Sequence, residues 1–368
     1  MIEMKNWKRS VAFLTLALVV GLLCGGLAWA AKPPKPPPPP PPPTVSYSLV
    51  MLGTLGGTNS WAEDVNAFGD VVGGAGTTPD GHRHAFLYTA ELGMEDLNDV
   101  APVPDGWVLD IAYGINDLGQ IVGNSGSRGF RYTPAGDQAA EFLDLGALGM
   151  RGARAINDFG DVAGTCIDEE GRERVCLYTD GDGLIQLPLP SDGRLWRPRA
   201  INNAGQIVGY TTTVRKEAVR YTPGVGVIPL GTIKQVVDAE WSEGMDINDA
   251  GQVVGRATVR RLTYHAFRYP DAVGMKDLGT LGGSSSFAFG INSAGDVVGW
   301  SQTAAGEDAI FLYTNADGMV NLSTSIDPAD VPVGFHPGAE RINDSGVICG
   351  TGEYADGTQE ANLLIPVP

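Results

Sequence analysis

The side chains with the most chemical capacity in this sequence recur at one place in a repeated phrase. Seven times the chain passes through hydrophobic-Asn-x-x-Gly-x-hydrophobic-x-Gly, anchored at Asn66, Asn116, Asn157, Asn202, Asn248, Asn292 and Asn343. The residue before the Asn is always Val or Ile, but the third before it is Glu63, Tyr113, Arg154, Arg199, Met245, Phe289 or Glu340. A position that diverges inside a repeating framework is expected where an asymmetric ligand is met. Trp61, Trp107, Trp196 and Trp241 lie five to nine residues before their Asn, with Phe287 and Phe335 in comparable places. Aromatic faces give flat contact with sugar rings or peptide side chains, and guanidinium groups fork onto carboxylate or sulfate. The expected ligand-binding set is therefore Trp61, Trp107, Tyr113, Arg154, Trp196, Arg199, Trp241 and Phe289.

Catalytic signatures are scarce. The chain has no Gly-x-Ser-x-Gly elbow, no phosphate loop, no His-Glu-x-x-His and no Cys-x-x-Cys. Glycoside hydrolysis would need two carboxylates about 5 to 10 Å apart, and Glu63, Glu243, Asp246 and Glu340 are the candidates. His84 and His265 hold the same place in repeats too far apart to share a metal. The Asn-Asp-x-Gly turns offer too few oxygens for calcium. No metal, cofactor or catalytic residue is therefore assigned. Cys166 and Cys176 flank one short hairpin and could form a disulfide, while Cys349 reads as a buried free thiol.

Composition narrows the rest. Of 368 residues, 51 are Gly, too many for a helix-rich fold, and 18% are charged, too few for a disordered chain. A net charge of −18 disfavours nucleic acid as a partner. Residues 151–261 nevertheless hold 14 of the basic residues, among them Arg151, Arg172, Arg174, Arg194, Arg197, Arg215, Lys216, Arg260 and Arg261.

These groups must be positioned by short strands. Each repeat of 41 to 51 residues supplies four apolar, β-branched or aromatic runs separated by Gly, Asn, Asp and Pro. Four strands in that length are a propeller blade. We call them A, ending at the Asn, then B, C and D. The last repeat stops without a D strand, and residues 47–57 share Leu-Gly-Thr-Leu-Gly-Gly with the D segment at 275–283. The expected fold is all-β, a seven-bladed propeller of four-stranded blades whose N-terminal strand completes the last blade. The A-to-B and C-to-D turns, at one end, are uniform, and the B-to-C and D-to-A loops, at the other, vary. Variable loops on a rigid scaffold are where binding is expected.

The repeat resembles the HAF family of probable extracellular repeats, named for the tripeptide found here at His84-Ala85-Phe86 and His265-Ala266-Phe267. The resemblance spans about residues 47–366 and implies a bacterial secreted or surface repeat protein without an assigned activity. The N-terminus agrees. Lys5, Lys8 and Arg9 precede an apolar run ending in Ala28-Trp29-Ala30, so residues 1–30 read as an export signal cleaved before Ala31, or as a retained anchor, or as a lipoprotein signal with Cys24 as the lipid-bearing residue. Each option puts the rest outside the cytoplasm. Residues 31–44 form a proline-rich spacer and residues 45–368 the propeller. The combined expectation is an extracellular, periplasmic or surface-tethered monomer that binds a glycan, a peptide or an anionic polymer without catalysis and touches membrane only through its N-terminal segment. A polysaccharide-active hydrolase or lyase, and a structural surface protein without a ligand, are the alternatives.

Overall fold

The structure, a computed structural model, describes residues 46–77, 82–136, 138–233, 241–260, 263–270, 273–331 and 338–367. The expected signal at 1–30, the spacer at 31–44, Phe335 and Arg261 lie outside these residues. The described chain forms seven four-stranded antiparallel sheets, making a seven-bladed β-propeller. Strands A to D are Ser60–Val65, Val71–Gly76, Arg83–Thr89 and Gly93–Asp96 in blade 1, then Ile111–Ile115, Ile121–Ser125, Arg128–Thr133 and Glu141–Asp144 in blade 2. Blade 3 comprises Met150–Ile156, Val162–Ile167, Glu173–Thr179 and Gly183–Gln186, and blade 4 Trp196–Ile201, Ile207–Thr211, Ala218–Thr222 and Gly226–Gly231. Blade 5 comprises Ser242–Ile247, Val253–Arg260, Thr263–Tyr269 and Lys276–Asp277, and blade 6 Gly282–Ile291, Val297–Thr303, Asp308–Thr314 and Gly318–Asn321. In blade 7, Arg341–Ile342, Ile348–Glu353 and Gln359–Val367 are joined by Ser46–Gly53 as the outermost strand. Ser46 pairs with Val367 and Met51 with Asn362, so the sheet is closed by the first strand as the shared Leu-Gly-Thr-Leu-Gly-Gly predicts.

The repeated residues hold blade to blade. Each repeat Asn side chain accepts a backbone N–H bond from four residues on, and in five of the seven also from two residues on, fixing its turn, as Asn202 does from Ala204 and Gln206 at 3.1 and 2.9 Å. From Asn116 to Asn343 the side-chain amide then reaches the Asn carbonyl of the next blade: Asn116 to Asn157 at 2.9 Å, Asn157 to Asn202 at 3.2 Å, Asn202 to Asn248 at 3.0 Å, and so on to Asn343, which donates to Asn66 at 2.9 Å. The turn Gly is needed for its backbone, with φ of +67° to +86° across the seven copies.

A second set of rivets lies in strand C. Arg131, Arg220 and Arg268 are buried and donate to the turn carbonyls of Gly160, Gly251 and Gly295 in the following blade, at 2.9, 3.0 and 2.8 Å. Leu87, Leu177, Leu312 and Leu364 fill that strand position in the other blades. The core itself lies between adjacent blades, around fully buried Phe86, Phe130, Phe267 and Phe311. Burying one such ring is worth roughly 1.5 to 3 kcal/mol.

Two elements depart from the all-strand expectation. A helical turn, Leu97–Val100, and a 3₁₀ turn, Leu322–Ser325, follow strand D in blades 1 and 6. Asp96 and Asn321 cap them by accepting from Asn98 and Ser323 at 2.9 and 3.0 Å. A short polar residue followed by Leu satisfies a turn start as readily as a strand end, and the first residue of each turn, Leu97 or Leu322, is fully buried.

Candidate functional site

In blades 1 to 6, strand A carries a β-bulge at the third residue before the Asn. The register shifts across Ala62/Asp64, Ala112/Gly114, Ala153/Ala155, Pro198/Ala200, Gly244/Asp246 and Ala288/Gly290. A bulge places two residues against one and re-aims a side chain. The closing Gly of the repeat makes room for it. A Cβ on Gly73, Gly123, Gly164, Gly209, Gly255, Gly299 or Gly350 would lie 1.8 to 2.1 Å from the strand A carbonyl two residues before the bulge position. Thus the most regular residue in the repeat frees the most variable one.

Five of the seven variable residues line one cavity of about 800 Å³ in the described structure: Glu63, Arg154, Arg199, Met245 and Glu340. Trp61, Trp300, Arg83, Asp308, Glu353 and Gln359 complete its wall from the loop end. Arg154 is held by Glu63 at 3.2 Å and lies 4.3 Å from the ring centre of Tyr113, which supports it from below. Trp61 donates to Gln359 at 2.5 Å. Phe289 instead packs edge-on against Phe287 at 6.5 Å and is absent from the cavity wall.

Two partly buried charged groups in this cavity lack matched partners. Arg199 makes no ion pair among the described residues; it reaches only the Tyr210 hydroxyl, at 3.4 Å, and its Nε is buried without an acceptor. The Glu340 carboxyl likewise has no hydrogen bond among the described residues. Burial pushes it up to about 7, with Glu63 adding to the rise and Arg341, Arg154 and Arg199 opposing it.

A second layer closes the cavity underneath. Asp64 accepts from its own strand at Val65 and from Ile115 of blade 2, at 3.0 and 3.1 Å, and Asp246 does the same for Ile247 and Ile291 of blade 6, at 2.9 and 3.0 Å. Burial raises both carboxyls, Asp64 to about 6. Arg341 lies 3.9 Å from Asp64 and donates to the Phe289 carbonyl at 3.0 Å. Burial would lower its guanidinium, but Asp246, Asp64 and Glu340 outweigh that and keep it charged. Beyond this layer a smaller cavity of about 230 Å³ opens at the turn end, ringed by the repeat Asn residues.

The expected tryptophans separate. Trp61 reaches the cavity. Trp196 does not: it is 2% exposed, donates to the Pro188 carbonyl at 3.1 Å and packs in the core between blades 3 and 4. Trp107 lies edge-on to Phe142 at 5.2 Å under Arg128, over blade 2. Trp241 stacks edge-on with Tyr264 at 4.9 Å and caps Arg256 at 4.8 Å, both of blade 5, with Lys216 of blade 4 at 5.6 Å. The carboxylate candidates separate too. Glu243 is buried between blades 4 and 5 and neutralised by Lys216 and by Arg256 at 2.7 Å. Asp246 belongs to the lower layer. Only Glu63 and Glu340 share the cavity.

Trp300 and Arg341 were not among the expected site residues. Trp300 follows the closing Gly of blade 6 and pairs with Phe287, a strand B place that the strand A pattern does not report. Arg341 had a signal: two residues before the Asn stand Asp64, Gly114, Ala155, Ala200, Asp246, Gly290 and Arg341, small residues broken by three charges.

The remaining chemical groups are structural. His84 bonds Asp96 at 2.6 Å and His265 bonds Asp277 at 2.9 Å, joining strand C to strand D. Arg128 pairs with Asp144 at the same place in blade 2. Cys166 and Cys176 are joined as a disulfide with Cα atoms 6.0 Å apart, and Cys349 is buried and free. Among the described residues no cluster of His, Cys, Asp and Glu is arranged to hold a metal ion.

No family model matches the chain, and no curated protein matches it in sequence. Similar solved structures exist. A virginiamycin B lyase from Staphylococcus aureus superposes with a TM-score of 0.53 at 13% identity, covering 88% of this chain and all of that one. A puromycin-hydrolyzing peptidase of Mycobacterium tuberculosis superposes with a TM-score of 0.53 at 10% identity; 86% of this chain matches half of that protein's length. At such identity the likeness is one of fold.

Proposed function

We propose that the chain is an exported, HAF-type binding module whose loop-end cavity takes a carboxylate- or sulfate-bearing glycan or peptide. The observation that supports this reading is Arg199. A guanidinium in a cavity wall that has no carboxylate partner among the described residues and only a 3.4 Å contact to the Tyr210 hydroxyl keeps terminal N–H donors for an external acceptor. Arg154 is already matched by Glu63, so it orients and screens rather than captures. Trp61 and Trp300 offer apolar faces beside the anion.

Calorimetric titration of the full chain with trigalacturonate and with its methyl ester tests the reading. The acid should bind, with the ester and Arg199→Ala each weakening binding by about tenfold or more, or ~1.4 kcal/mol. Asp117→Ala, at the opposite end, should bind like the wild type. Equal binding of acid and ester, or an unaffected Arg199→Ala variant, would refute it.

A second reading rests on Glu340. A carboxyl that keeps its proton to about pH 7 beside Glu63 is the pattern of a general acid with a neighbouring base or nucleophile. Release of new reducing ends from acidic oligosaccharides, abolished in Glu340→Gln, would establish hydrolysis instead of simple binding.

A further inference from the structure

Blades 1, 2 and 3 each push a large apolar side chain into solvent from the same turn position. Phe68, Leu118 and Phe159 are 75, 65 and 71% exposed. Folding does not require them: Ala204, Ala250 and Ala294 stand there in blades 4 to 6 and Ser345 in blade 7, with the same left-handed Gly following. The three turns are tied side by side. The Ala67 amide donates to Asp117 at 2.8 Å and the Asp117 amide to Asp158 at 3.0 Å. The apolar groups therefore stand in one arc on a fixed frame, and large apolar side chains gathered exposed on one face mark an interaction surface.

The charge around the arc is of one sign. The seven A-to-B turns, residues 66–70, 116–120, 157–161, 202–206, 248–252, 292–296 and 343–347, contain seven Asp and no Lys or Arg. The C-to-D turns at 89–93, 179–183, 222–226 and 314–318 add four acids and again no Lys or Arg. Arg131, Arg220 and Arg268, which approach this end from within, are buried with their heads tied to turn carbonyls. Such a field draws in cations and repels anionic lipid surfaces and polyanions.

We propose that the turn face of blades 1 to 3 is a second binding surface, independent of the loop-end cavity, for a polypeptide segment that interleaves Lys or Arg with apolar side chains. Apolar side chains of the segment would seat between Phe68, Leu118 and Phe159 while its cations meet Asp117, Asp158 and their neighbours. The acidic rim selects this occupant over a second copy, whose own turn face carries the same sign.

The test uses the full chain and a 16-residue peptide of alternating Lys and Leu, with a Lys and Ser peptide as control, followed by fluorescence anisotropy at low and at moderate salt. The Lys-Leu peptide should bind at least about tenfold more tightly than the control and weaken with salt. The triple variant Phe68→Ala, Leu118→Ala, Phe159→Ala should lose about tenfold or more of that affinity while melting like the wild type, because three other blades already carry Ala there. Arg199→Ala should bind the peptide normally. Equal binding of the two peptides, or by the triple variant, would overturn the proposal. So would wild-type self-association, detected by sedimentation, that the triple variant lacks.

Discussion

Glu340 shows how a buried charge in a funnel becomes measurable. Folded, it holds its proton to about pH 7; unfolded, it releases it near the ordinary value of 4.5. Asp64 behaves alike, up to about pH 6. Between those limits the folded state binds protons that the unfolded state does not, so these two groups make stability fall as pH rises, Asp64 from about 3.8 to 6 and Glu340 from about 4.5 to 7. Glu340→Gln removes one of them. Urea titrations across pH 5 to 8 should show the wild type losing stability relative to this variant as pH rises, and parallel curves would contradict the assignment. Cys166 and Cys176 make a simpler residue-scale prediction. Peptide mapping without reduction should find them linked and Cys349 alkylated only after denaturation.

At the scale of the strand, the closing Gly and the bulge decide what the site contains. Gly209→Ala would drive a Cβ to 1.8 Å from the Arg197 carbonyl, and that backbone cannot move without closing the bulge that presents Arg199. A loss of about 3 kcal/mol or more in urea unfolding is expected. Gly193→Ala, with φ of +75° but open space around its Cβ, should cost only about 1 kcal/mol. Similar losses at the two sites would refute the crowding argument. The same bulge explains what the sequence could and could not show. Blade number, strand order and the divergent position three before the Asn were legible because spacing alone carries them. Where each tryptophan points was not, because one extra residue in strand A breaks the alternation by which faces are read. Trp61 and Trp196, five and six residues before their Asn, both precede the bulge and stand one residue apart in phase, so they face the cavity and the core. His84 and His265 look chemical as letters, yet the Asp one strand away decides their role.

At the scale of the whole molecule, the first strand closes the last blade and buries Tyr47 and Leu52. Deleting residues 46–53 would strip the edge of Gln359–Val367 and should lower the melting temperature by many degrees, whereas deleting residues 33–43 should not. Equal melts would contradict closure. The molecule also keeps two faces of different character: a loop face with an arginine-bearing cavity and a turn face with carboxylates around an apolar arc. The rivets between blades are short and local, so each face can vary without disturbing the other.

The pairing of Ser46 with Val367 carries one more consequence. Since these residues are neighbours across a ladder, the order in which blades occur along the chain is a convention of where the backbone happens to be cut. A gene rearranged so that a short Gly-Ser linker joins residue 367 to residue 46, with new termini opened in the exposed loop at 213–215, should encode the same ring. Its circular dichroism and its peptide and acid binding should match those of the parent, and a rearranged chain that fails to fold would mean that the ring must be built in one direction.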